Sequence, residues 1–286
     1  MSYPELNRGD KGIEVERLQG WLNRVGAMLK PDGDFGRGTE RGVRYAQDIA
    51  ALPVTGTADR ALWEWLEPQR DPFPLLDTNG IAFIAREETG GLSYYDAVTR
   101  WPHYPGHASG ITIGVGFDLR FNSESDLREL WGAHLDGGAI DELAKDIGKP
   151  GSKKRVGELR RMGIEIPFRA AWHVFVERTI PSYYEQTEQI YPSLNSLPPL
   201  CRSALVSIVY NRGSSLSGPN RSEMRAIADI LAEADNPDLH KLKRKTILMD
   251  VEDEIVAMQR LWGPDSGLHK RRQEEANLWR VGLDGW

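Results

Sequence analysis

The chain has 286 residues, 40% hydrophobic and 27% charged, with a net charge of −6 and one cysteine, Cys201. This is the composition of a folded globular protein rather than a disordered one, and its mild acidity, spread evenly, argues against nucleic acid as a partner. A single thiol excludes an internal disulfide or a multi-thiolate zinc site, and no run approaches the ~18 apolar residues of a membrane span.

The opening "MSYPELNRGDKGIEVERLQ" has neither a basic start nor an apolar core segment. The expectation is therefore synthesis in the cytoplasm without a secretory signal peptide. In "GIEVERLQGWLNRVG", Val15, Leu18, Leu22 and Val25 recur at helical spacing. "TERGVRYAQDIA" predicts a second helix opened by Thr39, and "TADRALWEWLE" a third with Thr57 as N-cap.

These three motifs, with "DGDFGRGTERGVRYAQ" between the first and last helices, resemble the small peptidoglycan-binding domain appended to many cell-wall hydrolases. The resemblance covers about residues 5–67 and implies bacterial peptidoglycan as a partner. It carries wall-binding roles over to Asp34, Phe35 and Thr39, although Asp34 and Thr39 serve equally well as helix caps.

In "EPQRDPFPLLD", prolines at 68, 72 and 74 predict an extended linker over residues 68–77. The expected division is thus 1–67 for wall binding, 68–77 for the linker and 78–286 for a second domain.

The helix "NGIAFIAREETGG" places Ile81, Ile84, Ala85 and Glu88 on one face. A carboxylate on an apolar stripe needs a partner or stays protonated, and a raised carboxyl is what a general acid requires. A glutamate closing a helix also sits well in water or against an arginine, and that alternative stays open. The aromatic loop "YYDAVTRWPHYPGHASG" follows, with Tyr95, Trp101 and Tyr104 suited to sugar rings or to a core lid. His103 and His107 have i, i+4 spacing, but Pro105 and Gly106 exclude a helix there, so no metal site is expected.

In "ITIGVGFDL", residues 111–119 alternate as a half-buried strand. Its other face carries Thr112, Gly114, Gly116 and Asp118. Glu88 with Asp118 and Thr112 is a suitable chemical set for glycoside hydrolysis, one acid protonating the leaving oxygen and a second carboxylate activating water. A flat strand would separate Thr112 from Asp118 by ~20 Å, at about 3.3 Å per residue, so the glycines are expected to curl it. From about residue 125 the pattern is helical. Leu248, Val251, Ile255, Met258 and Trp262 form one core stripe, and Cys201 lies in an apolar helix as a buried structural thiol.

"REETGG", "WPHYPGHASGITIGVGFDL", "ALVSIVYNRGSSL" and "GLHKRRQEEANLW" resemble the phage-type lysozyme superfamily, near its pesticin-like branch, over roughly residues 78–282. The resemblance implies an α+β, mostly α fold, with a short β-sheet and a large helical lobe beside the three-helix wall-binding domain. It implies cleavage between N-acetylmuramic acid and N-acetylglucosamine without a cofactor. With no signal peptide visible, the expectation is an endolysin that reaches the wall after membrane permeabilisation, and nothing in the sequence demands more than a monomer. Glu88 then corresponds to the catalytic acid, Thr112 and Asp118 to its partners, and Tyr210, Asn211 and Arg212 to sugar-binding positions at a helix start. Asn211 serves equally as a cap. Asp96 lies near the aspartate of the better-known branch and is the alternative to Asp118; Glu87 is a rival acid on another helix face. A lytic transglycosylase and a catalytically silent wall-binding phage component are the competing functions.

Overall fold

The computed structural model describes residues 3–106 and 108–286. The described residues are mostly helical, 62%, and among them the strands form one two-stranded sheet. It divides into two compact units, one of Met1–Pro72 with Ala82–Ile180, the other of Phe73–Ile81 with Pro181–Trp286.

In the first unit, α1 (Ile13–Arg24), α2 (Arg37–Ile49) and α3 (Arg60–Leu66) enclose Leu18, Leu22, Phe35, Val43, Leu62 and Trp63, each fully buried. The helix starts differ from expectation. Asp59 rather than Thr57 caps α3, accepting from the Leu62 N–H at 3.0 Å, while the Thr57 hydroxyl donates to Asn7. Thr39 lies inside α2, which begins two residues earlier after Gly36.

The same unit continues through the last turns of α4 (Thr78–Thr89) and α5 (Leu92–Tyr94), which runs into a π-turn over Tyr95–Thr99. It then holds the strands β1 (Thr112–Ile113) and β2 (Phe117–Asp118), followed by α6 (Glu124–Trp131), α7 (Gly137–Ala144), α8 (Lys153–Arg161) and α9 (Phe168–Val174). Ser123 and Asp126 form a reciprocal capping box on α6. The N-terminal helices pack directly on this segment. The Tyr45 ring meets Phe168 edge-on at 5.6 Å, and the Thr89 hydroxyl reaches Met28 Sδ at 3.2 Å.

The second unit contains α10 (Ile180–Ile190) from Pro181 onward, α11 (Pro199–Arg212), α12 (Ser222–Ala234), α13 (Lys241–Ala257) and α14 (Gly267–Asp284). Leu248, Val251, Ile255 and Met258 are fully buried as the stripe requires, while Trp262 is only half-buried. Buried Cys201 faces Gly282, where a Cβ would stand 2.7 Å from the sulfur, so α11 and α14 approach closely.

Residues 68–77 are not an extended linker. They form turns, because Phe73 and Leu76 give the proline-rich stretch apolar anchors. Leu76 is buried and its N–H donates to the Phe73 carbonyl, and Phe73 packs edge-on against Tyr184 at 5.6 Å.

Candidate active site and wall-binding module

The segment read as one strand is a hairpin. Gly114 and Gly116 adopt φ of 57° and 81°, a left-handed backbone that glycine supplies without the Cβ penalty, and the chain reverses between them. Thr112 then pairs with Asp118 and Ile113 with Phe117. The curl expected from the spacing is a full reversal, which removes the ~20 Å separation of a flat strand. The alternating face is not solvent-lit throughout. Ile111, Ile113, Val115, Phe117 and Leu119 are buried, but so are Thr112 and Gly114. Trp131 covers Gly114, where a Cβ would stand 2.7 Å from the indole.

Thr112 also pairs on its other side with His103: the His103 N–H donates to the Thr112 carbonyl at 2.9 Å, and the His103 carbonyl accepts from the Thr112 N–H at 2.8 Å. The Thr112 hydroxyl oxygen is buried without a hydrogen-bond partner. Burial pushes the His103 imidazole below its ordinary value, opposed by a hydrogen bond with the Trp101 backbone and by the charge of Asp118. Asp118 is half-buried and engaged. Both carboxylate oxygens accept from the Gly110 N–H at 3.0 Å, and Oδ1 accepts from the Arg120 N–H at 2.8 Å. It therefore fastens the loop before β1 to the turn after β2.

Glu88 is exposed, which corrects its expected place on the buried stripe. Residues 81–85 are all buried, so the middle of α4 is enclosed on every side. The core gives out in the last turn, where Thr89 takes the inward position and donates to the Ala85 carbonyl at 2.7 Å. Glu87 is exposed as well, and so is Asp96, in the π-turn. Tyr95 is fully buried, its hydroxyl donating to the Ile166 carbonyl, which removes it from the sugar-facing set. Trp101 is half-buried, with the guanidinium groups of Arg100 and Arg160 over its ring. His107 lies outside the described residues; among those described, no three metal-ligating side chains cluster.

Tyr210, Asn211 and Arg212 form the last turn of α11, not a helix start; Gly213 ends the helix at φ 77°. Tyr210 stacks on Tyr183 at 4.2 Å, and Asn211 Oδ1 accepts from Arg272 at 3.3 Å. Burial, then the charges of Arg221 and Arg272, push the Arg212 guanidinium down to about 10. Arg221 was not singled out by sequence reasoning, and Trp262 was assigned to the core. A basic residue after a Gly-Pro-Asn turn carries no signal by itself.

In the N-terminal helices, Asp34 is exposed, whereas Phe35 and Thr39 are buried. Phe35 is a core side chain. The Thr39 hydroxyl accepts from Gln19 Nε2 at 3.0 Å and donates to the Asp34 carbonyl. These two residues shape the turn, and only Asp34, ion-paired with Lys11 at 2.7 Å, presents its side chain to solvent. Gln19 organises that turn, its Oε1 accepting from the Asp32 and Gly33 amides.

Among the described residues no helix is long and apolar enough to cross a membrane. A comparison with curated proteins finds no match. Residues 11–66 match the family model of the peptidoglycan binding domain, so the chain is a modular cell-wall-binding protein with peptidoglycan as a partner.

Proposed function

We propose that this protein is a muramidase that hydrolyses the β-1,4 bond between N-acetylmuramic acid and N-acetylglucosamine. Glu88 is the general acid and Asp118 positions the attacking water, while the buried Thr112 hydroxyl only shapes the hairpin beneath it. The observation that carries the reading is the sharing of one compact unit by the peptidoglycan-binding helices, the exposed Glu88 at the end of α4 and the Thr112–Asp118 hairpin. An exposed carboxyl at a helix end, followed by Gly90 and Gly91, is reachable by a bulky glycan. Protonation of the bridging oxygen by Glu88 breaks the glycosidic bond and releases one sugar, while water attacks the anomeric carbon and gives up its proton to the Asp118 carboxylate. The wall-binding helices raise the enzyme's local concentration at its substrate. In this reading the protein is a phage-type endolysin, made in the host cytoplasm and acting on the wall once the membrane is opened.

A lytic transglycosylase is the second reading. It is favoured by the engagement of both Asp118 oxygens with backbone amides and by the inaccessible Thr112 hydroxyl, since that reaction needs a glutamate but no water-holding partner. The test is clearing of a peptidoglycan suspension by the full chain, with mass spectrometry of the released muropeptides. Reducing ends that disappear in Glu88→Gln support the hydrolase, and anhydro ends support the transglycosylase. No clearing by the unsubstituted chain makes it a wall-binding protein without catalysis.

A further inference from the structure

The second unit contains a cavity of ≈ 540 Å³ lined by Asn211, Arg212, Gly218, Asn220, Arg221 and Trp262, among others, within the size range of small-ligand sites. Its walls are unusual in charge. Arg212 donates to the Asn220 carbonyl and Arg221 to the Arg212 carbonyl, so backbone oxygens hold both side chains and neutralise neither. One nitrogen of the Arg212 guanidinium, Nη1, is buried with no hydrogen-bond partner. Behind the wall lies a third guanidinium, Arg272, fully buried; it and Arg212 both stand over the Trp262 ring, at 5.5 and 5.6 Å.

The nearby carboxylates are committed elsewhere. Glu275 serves Arg271 and Arg272 together. Glu223, which acts on Arg212 electrostatically, is ion-paired with Arg260. Arg212 and Arg221 thus line the cavity with no carboxylate among the described residues ion-paired to either, which is costly to the protein alone, and an anionic ligand supplies the missing charge. The guanidinium fork matches a planar carboxylate in two parallel hydrogen bonds. Asn211 and Asn220 line the same cavity with amides able to bond a peptide backbone.

We propose that this cavity binds a carboxylate of the peptidoglycan peptide stem, with Arg212 and Arg221 as its ligands. The second unit thereby reads the peptide of the wall in addition to any sugar. The identity of this ligand rests on peptidoglycan as the protein's substrate, the reading given above.

The experiment titrates the full chain with a soluble disaccharide tetrapeptide, with the same compound after amidation of its stem carboxylates, and with inorganic phosphate. Binding is followed by calorimetry and by the NMR signal of the Trp262 indole N–H. The free-carboxylate compound is expected to bind and shift Trp262, the amidated compound to bind at least 10-fold more weakly, and Arg221→Gln to lose the difference between the two. Arg221→Lys, which keeps the charge without the fork, should recover only part, and thermal melts of both variants confirm folding. Equal binding of the amidated compound, an unmoved Trp262 signal, or phosphate binding as tightly as the stem overturns the proposal. Failure of the muramidase reading is seen separately, as anhydro ends, as no clearing by the unsubstituted chain, or as clearing that Glu88→Gln leaves unchanged, whatever the stem titration gives.

Discussion

Thr112 and Asp118 stand opposite one another as Cα partners in the two-residue ladder, yet their side chains are placed in opposite circumstances. The Thr112 hydroxyl is buried without a partner, whereas the Asp118 carboxylate accepts from two backbone amides, those of Gly110 and Arg120. An unsatisfied buried hydroxyl costs about 1–3 kcal/mol, and an isosteric apolar replacement relieves that cost. Thr112→Val should therefore match or exceed the parent protein in urea denaturation, by up to about 1 kcal/mol. Asp118→Asn should lose about 1–3 kcal/mol, because its amide nitrogen would face a backbone N–H. A comparable loss in Thr112→Val would mean that a bonded water occupies the site.

The docking of the N-terminal helices is testable at Gly26. Its φ is 97°, and a Cβ there would stand 2.7 Å from the ring of Trp172 on α9. Gly26→Ala should cost at least about 2 kcal/mol, from left-handed strain together with overpacking against a rigid indole. Gly9 has φ of 105° but nothing within 4 Å, so Gly9→Ala measures the strain alone, about 1–2 kcal/mol. Equal midpoints for the two variants in thermal unfolding would show that the Trp172 contact carries no energy.

The helices around Leu18, Leu22 and Leu62, and the stripe from Leu248 to Met258, were legible because a buried helical face leaves a 3–4 residue period. The reversal at Gly114 was half legible: the glycines and the impossible span required bending, but alternation reads the same in a strand and in a hairpin folded upon itself. Glu88 was placed inward because a helical wheel assumes that the core extends along the whole helix, whereas here it ends one turn early. Phe35 and Thr39 resemble wall-binding positions in sequence, although burial gives them the work of shaping a turn. The arginine cavity was illegible, since Arg212, Arg221 and Trp262 are brought together by tertiary packing across 51 residues of chain.

Cys201 is buried on α11, and burial pushes its thiol up to about 12. The thiolate is the reactive species toward disulfide reagents, so the folded protein should give no colour with an aromatic disulfide at pH 8. One equivalent should react once the chain is unfolded in guanidinium. Reaction of the folded protein at the rate of its unfolding would report global opening, while a faster rate would contradict the burial.

Acid should weaken the second unit through Glu223. Its side chain is 6% exposed. Burial alone would raise the carboxyl, but hydrogen bonds with Arg260, with its own backbone amide and with Ser222 outweigh burial and hold it below its ordinary 4.5. Folding therefore favours the ionised form. The resulting stability is complete above about pH 4.5 and is lost as pH falls through the lower native value. Glu254 runs the other way: burial, then the charges of Glu223 and Asp253, raise its carboxyl, so its contribution is present at low pH and declines as pH rises through that higher value. Glu223→Gln should be less stable than the parent at pH 7, and its unfolding free energy should fall less steeply below pH 4.5. Removing the Glu223 charge should also bring the Glu254 carboxyl back toward its ordinary value. Carbon-detected NMR titration of that carboxyl in both proteins checks the coupling, and an unmoved Glu254 midpoint would show that the two glutamates do not act on each other.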